Sequence, residues 1–476
     1  MKGIKLYHQL SGLSKEEIKH LHKAVTSPIF NTNPTTTLLF KRLKYQHPNF
    51  DTSPKGRRKL YKKVFPNDIF NDQKLRRLFT NLSQIIEKFL LIQSLEDNEN
   101  RRQQMLIEIY EKRSMVPLFE QEVRSLNEKQ LNQDIKDADW YFNRFQLLYI
   151  QYSSMHHSKY DPTDKTLEEA IHCLDNFFAL RKIYLDIGLK SKQKIYNLKN
   201  KADFLPVPKT SQVTGNQLFK LYDLASNLLA INDLDIFEEY EKLLKQLAPK
   251  LSSNDQLLLF FSGLNYLNRK INKGETSLLG RTLNWYKWGL ENKILLQKNQ
   301  LSPITFGNIV IYGCRLKDFT WTKYFIQKYQ EFLPQSIRNN EAAYSEAMLL
   351  FFQKDYEKVL TKLSDYVFSH KYKLKTKNLL CRTYFELYQQ DFNYYELILA
   401  SLKNYENYLY RNENFSENII RPHFNFIQIL KSIVQKMNSP EYESSQISWL
   451  SLQLDKREKV VCRDWLISVN DRLVQA

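Results

Sequence analysis

Nine consecutive residues, Lys55-Gly56-Arg57-Arg58-Lys59-Leu60-Tyr61-Lys62-Lys63, hold six cationic side chains. Cations at that density suit the neutralisation of phosphates or another polyanion. Arg76 and Arg77 follow a few residues later, and Arg42 and Lys44 precede. The candidate polyanion-binding set is therefore Lys55, Arg57, Arg58, Lys59, Lys62, Lys63, Arg76 and Arg77. The same run also reads as a solvated helix face with Leu60, Tyr61 and Val64 turned inward, or as a dock for an acidic protein or membrane surface. Residues 1–94 contain 18 Lys and Arg against 6 Asp and Glu, so they carry +12 of the net +18. A nucleic-acid partner, if the chain has one, is expected at this basic head.

No stretch spells out a reaction. GxxxxGK[ST] and GxGxxG are absent from the sequence, so no phosphate-cradling loop is expected. HExxH and GxSxG are absent as well. His20 and His22 are two apart and His156 and His157 are adjacent. Neither spacing puts two imidazoles on one helical face, as i, i+4 would. Cys173, Cys314, Cys381 and Cys462 are far apart and read as buried free thiols. The chain is accordingly read as non-catalytic, with no cofactor and no metal. Met1-Lys2-Gly3-Ile4-Lys5-Leu6 lacks the apolar core of a signal peptide, and no segment approaches 18 uninterrupted apolar residues. A cytoplasmic protein without a membrane span is expected.

The elements that position these side chains are helices. The 476 residues include 29 Phe and 29 Tyr but only 11 Gly and 14 Pro, with 42% hydrophobic residues. That is too apolar for a disordered chain and too poor in turn formers for many strands, so the fold class is all-α. In the head, Ser14 with Glu17 three residues on forms a capping box, opening a helix that runs to about Val25. Two short helices follow, about Thr35 to Tyr45 and Pro54 to Phe65, each bounded by Pro. A long one spans about Asn71 to Gln93, and its apolar stripe from Leu75 to Ile92 needs covering, which is assigned to the three shorter helices.

Between Phe306 and Leu409 a helical pattern stops three times at a polar residue, an Asp and an aromatic: Lys317-Asp318-Phe319, Lys354-Asp355-Tyr356 and Gln390-Asp391-Phe392. The Asp residues are 37 and 36 positions apart. Positions −7 (Ile311, Met348, Tyr384) and −4 (Cys314, Phe351, Leu387) are apolar, as are +8 (Ile326, Leu363, Leu399) and +11 (Tyr329, Tyr366, Leu402). Spacings of three, four or seven fall on one helical face. Each copy is then a pair of amphipathic helices, with the Asp accepting from the free N–H groups that open the second. One pair cannot bury its stripe alone, so neighbours must stack on it.

This pattern resembles the tetratricopeptide repeat, whose turn commonly reads Gly-Asp-Tyr; the nearest copy is Ala342 to Tyr366. Lys317, Lys354 and Gln390 stand where that family has Gly. The resemblance implies antiparallel helix pairs stacked as an α-solenoid, and it brings no ligand with it.

Three segments are expected: a basic N-terminal helical domain over 1–97, a helical block over 98–205, and tetratricopeptide-like repeats over 206–476. The Pro-containing stretch Phe204 to Ser211 is the strongest linker. Trp285, Tyr286 and Trp288 read as packing or as a bridge to a partner. Asp235 is read as the turn of a further pair. Val460 to Leu473, with Trp465, Leu466, Val469 and Leu473 on one stripe, reads as a helix capping the open end of the array. The function expected is a non-catalytic scaffold for a protein or peptide partner. The alternative is a nucleic-acid-associated regulator with a basic head and a repeat-based sensor region.

Overall fold

The computed structural model describes residues 2–154, 163–196, 215–230, 233–411, 416–438 and 459–475. Among them are 21 α-helices and a single two-stranded hairpin, so the fold is all-α. Contacts divide the chain into Met1–Leu180 and Arg181–Ala476. The boundary expected at 97/98 lies inside the first unit. The one at 205/206, with the expected linker, falls outside the described residues.

In the first unit the head has five helices rather than four: α1 (Lys2–Ser11), α2 (Lys15–Thr26), α3 (Pro34–Lys44), α4 (Pro54–Val64) and α5 (Asp72–Glu96). The capping box at Ser14 is formed, with Glu17 N donating to Ser14 Oγ at 3.2 Å and Ser14 N to Glu17 Oε2 at 2.6 Å. Helix α1 shares the cover of α5 with the other short helices. Its Leu6, Tyr7 and Leu10 enter the same core as Leu75, Phe79, Leu82 and Ile86, and Lys5 pairs with Glu87 at 2.5 Å. The α5 stripe is buried as far as Ile86; Phe89 is half-buried and Ile92 exposed. Four helices follow: α6 (Glu99–Lys112), α7 (Val116–Leu131), α8 (Ala138–Ser153) and α9 (Thr166–Tyr196). Ile107, Phe119, Val123, Leu126 and Leu147 form a smaller core among α6, α7 and α8. The division between the units falls within α9.

The second unit continues with α10 (Gln217–Ala230), α11 (Leu234–Leu247), α12 (Ser253–Asn272) and α13 (Leu279–Glu291). Asp233, not Asp235, caps α11, accepting from Asp235 N at 2.9 Å. Between α12 and α13 the aromatic cluster closes inward. Trp285 is 2% and Tyr286 0% exposed, and the indole donates to Phe260 O at 3.1 Å. Gly263 and Gly289 make room for this packing, since a Cβ on either would stand 2.7 Å from Trp285 or 2.4 Å from Phe260. After α13 comes the hairpin of β1 (Leu296–Gln297) and β2 (Gln300–Leu301). Its two turn residues, Lys298 and Asn299, both have positive φ (49° and 60°), as a type I′ turn requires.

The stretch in which repeats are expected forms α14 (Pro303–Arg315), α15 (Phe319–Tyr329), α16 (Arg338–Phe352), α17 (Tyr356–Asp365), α18 (Lys373–Tyr388) and α19 (Tyr395–Arg411). The last two helices are α20 (Glu417–Met437) and α21 (Arg463–Gln475). Consecutive helices from α14 to α20 pack on one another, and α14 also touches α16, as α16 touches α18. The residues of column −4, Cys314, Phe351 and Leu387, are buried, at 1%, 5% and 5% exposure. Ile311, in column −7, is exposed.

The turns explain why the missing Gly is tolerated. Lys317 and Lys354 themselves take left-handed φ values of 59° and 65°. Asp318 N then reaches Gly313 O and Asp355 N reaches Leu350 O, both at 3.0 Å, satisfying carbonyls at the preceding helix end. The third turn is built differently. Asp391 N bonds Leu387 O at 2.8 Å, a 3₁₀ turn (Phe392–Tyr394) intervenes, and Phe392 is 68% exposed. Asp318 and Asp391 accept from backbone N–H groups as expected, from Trp321 and Asn393. Asp355 does not; its carboxylate holds Lys358 at 2.6 Å.

A non-glycine residue at left-handed φ costs about 1–2 kcal/mol, and Lys354 is exposed. Lys354→Gly is therefore expected to stabilise the chain by about 0.5–1 kcal/mol after the entropy that Gly loses on folding. A rise in the urea midpoint checks this, and an unchanged or lower midpoint contradicts it.

Candidate functional site

Helix α4 sorts the basic run by its own periodicity. Ser53 caps it, accepting from Gly56 N at 3.0 Å, and Pro54 fixes its first turn. Gly56, Leu60, Tyr61 and Val64 are buried. Positions i, i+3, i+4 and i+7 share a face, so Lys55, Arg58, Lys59 and Lys62 make one outward stripe, all four exposed. Lys63 is exposed at its border.

Arg57 belongs to the inward side. Its guanidinium meets Asp72 at 2.5 Å and lies 5.8 Å from the Phe79 ring centre. The other oxygen of Asp72 holds Arg76 at 2.6 Å, so one carboxylate neutralises two of the eight candidates and ties α4 to the start of α5. Arg58 lies over Phe70 at 5.6 Å, leaving its donors outward. Arg77 is exposed on α5. The structure thus brings Lys55, Arg58, Lys59 and Lys62 together and removes Arg57 and Arg76 from a free cationic face. Nearby on α3, Lys44 and Lys41 add to the effect of burial in holding the α2 imidazole of His22 below its usual range.

A second constellation lies on α18 and α21. Along α18, Asn378, Arg382 and Glu386 fall at i, i+4 and i+8 on one face, and each is 5% exposed. Buried charge is costly unless partnered, and the partners come from α21. The Glu386 carboxylate accepts the two Arg472 terminal amines at 2.8 Å each and the Trp465 indole N–H at 2.8 Å. Tyr356 donates to it at 3.4 Å; burial first, and that carboxylate second, push the phenol up to about 12. Glu386 in turn holds the Arg472 guanidinium charged, raising its pKa.

Among the described residues Arg382 has no carboxylate within ion-pair distance. It lies between Phe351 at 4.4 Å and Trp465 at 5.2 Å, an arrangement that stabilises a cation through the ring faces, and its amine reaches Cys462 Sγ at 3.7 Å. Cys462 donates to Asn378 Oδ1 at 3.1 Å. Arg382 Nε and Asn378 Nδ2 are left without partners.

Helix α21 therefore does not merely cap the last pair. Asp464 reaches Arg315 of α14 at 3.3 Å, and Trp465 joins clusters that include Phe351 of α16, Phe385 of α18 and Phe426 of α20. Leu466 and Val469 are fully buried. Burying them contributes about 1.5–3 kcal/mol each, and the charge-assisted fork about as much again. An isolated 13-residue helix is marginal in water, so docking is what holds α21 helical. One carboxylate thus meets a guanidinium and an indole N–H, and one guanidinium meets an aromatic face.

Sequence reasoning did not single out Glu386, Arg382, Asn378 or Arg472 as a site. The signal available was three polar residues four apart on a helix that is otherwise apolar on that side. Among the described residues no group of His, Cys, Asp and Glu could hold a metal ion, and no helix is long and apolar enough to cross a membrane.

Compared with family models, curated proteins and solved structures, the chain matches none.

Proposed function

We propose that the chain is a non-catalytic scaffold. Its helix pairs stack as an α-solenoid of tetratricopeptide-like repeats and present the cleft between α16 and α18 to a helical segment of a protein or peptide partner. The observation that carries this reading is the docking of α21. A helix already lies in the cleft, and buried charges read its Trp and Arg side chains. Purification of the tagged full chain after chemical crosslinking tests it, with mass spectrometry of what comes with it. A protein partner in near-stoichiometric amount is expected; recovery of the chain alone across buffers and salt concentrations contradicts the reading.

The outward stripe of Lys55, Arg58, Lys59 and Lys62, all exposed and without an ion pair among the described residues, favours a second reading, a nucleic-acid-associated regulator. Four phosphate contacts on duplex DNA predict that log K falls against log salt with a slope of about −3.6, and that Lys59→Glu with Lys62→Glu removes about half of it. Fluorescence anisotropy of the full chain with a labelled duplex between about 50 and 200 mM salt measures this. Undetectable or salt-insensitive binding removes the reading.

A further inference from the structure

We propose that residues 459–475 are a built-in ligand of the α16–α18 cleft, and that its partner presents the same amphipathic helix: Trp, apolar residues one and four positions on, and Arg at the seventh. The proposal rests on the scaffold reading and adds to it the chemistry of the partner and its competitor. In α21 these positions are Trp465, Leu466, Val469 and Arg472. Leu466 and Val469 are fully buried in the core that α21 shares with α18, α19 and α20, while Trp465 also packs against the cluster that holds Phe351 of α16. Trp465 and Arg472 converge on one carboxylate although seven residues separate them, since two helical turns return to the same side.

Two features mark the cleft as a recognition surface rather than ordinary core. Its charges are not self-sufficient. Arg382 and Glu386, one turn apart on α18, make no ion pair with each other, and each is engaged by α21 instead. The cleft also keeps polar atoms that α21 leaves unused, since Arg382 Nε and Asn378 Nδ2 are buried without partners. A helix with an acceptor near the position of Cys462 would satisfy donors that α21 does not. Such a helix gains bonds that the internal one lacks, and so can displace it.

The attachment of α21 fits a displaceable element. Before the helix, Asn425 donates to Lys459 O at 2.9 Å and Val461 N to Pro422 O at 3.3 Å, Val460 and Val461 pack at the edge of the core, and Cys462 meets Asn378 and Arg382. Beyond them, Arg315 to Asp464 is a partly exposed ion pair. The Glu386–Arg472 fork sits at the outer end, with the Arg472 side chain 44% exposed. The exposed side of the fork is Arg472, while the Glu386 side chain is 7% exposed, so a competitor gains the carboxylate by first drawing Arg472 away.

The test uses the full chain and a fluorescein-labelled peptide of residues 459–476, read by anisotropy. Trp465→Ala with Arg472→Ala in the chain weakens the internal helix and is expected to tighten peptide binding at least tenfold over the wild-type chain. Adding Glu386→Gln to that chain, or Arg472→Ala to the peptide, is expected to weaken binding at least tenfold. Equal peptide affinity in the wild-type and doubly substituted chains, or indifference to Glu386→Gln, overturns the proposal. Should the double substitution impair folding, a protease site inserted after Ile447 of the wild-type chain keeps the test decisive. The cut chain must take up labelled peptide and the uncut chain must not; failure of the cut chain to exchange overturns the proposal. If a crosslinked protein partner is captured while exchange fails, only the built-in ligand falls. Capture of no partner, with peptide exchange intact, removes the scaffold reading and leaves α21 a ligand of its own chain.

Discussion

Replacing Glu386 with alanine is expected to lower the unfolding free energy by about 3 kcal/mol and to release α21. Removing one partner of a buried charge pair costs about 3–5 kcal/mol, because the other charge is left unpaired. The lower end applies here, since the Arg472 side chain is 44% exposed and regains water. The Trp465 indole N–H loses its acceptor at the same time, which adds to the cost. Urea unfolding of the full chain measures the loss, and limited proteolysis locates it. Cleavage is expected within residues 459–475 first, with α14 to α19 retained. A change under about 0.5 kcal/mol, the usual effect of a surface substitution, would mean that the carboxylate does not anchor the helix.

Trp285→Ala is expected to be more damaging still, at about 3–5 kcal/mol, the range for emptying a buried aromatic site. The indole is packed within 5.2–6.5 Å, centre to centre, of Phe237, Phe260, Trp288 and Tyr240. Its loss also strips Phe260 O of the indole donor. The backbone under it cannot fill the space, because Gly263 was placed against the ring and offers no side chain of its own. Thermal and urea unfolding should both register the loss. A wild-type midpoint would show that the cluster faces a partner, the reading that its sequence left open.

How far the sequence was readable depended on whether one element alone set the outcome. The all-α class, the capping box at Ser14 and most helix limits rest on local composition, and they appear as expected. Helix α1 was missed because its ten residues lack a capping signal, and only its burial against α5 reveals it. The hairpin at Leu296–Leu301 was missed because its turn is Lys298-Asn299, not the Asn-Gly that advertises positive φ. Lys317 and Lys354 look like departures from a Gly turn, yet they adopt the backbone that Gly would.

The basic run was readable further than composition took it. Arg57 shares its helical face with Leu60, Tyr61 and Val64, three, four and seven residues on, and that spacing alone turns it inward. Which carboxylate meets it was not readable, since Asp72 comes from another helix. The cleft was the least readable part. Glu386 and Arg472 are 86 residues apart, and no periodicity within either helix announces the other.

Helix α21 is anchored on α18 through Glu386. Hydrogen exchange of the full wild-type chain tests it most directly, read at residues 463–475 beside residues 373–388 and repeated with Glu386→Gln. The expected result is protection of α21 in the wild type that the substitution removes, while α18 stays protected. Exchange of residues 463–475 at the unprotected rate in the wild type would contradict the account.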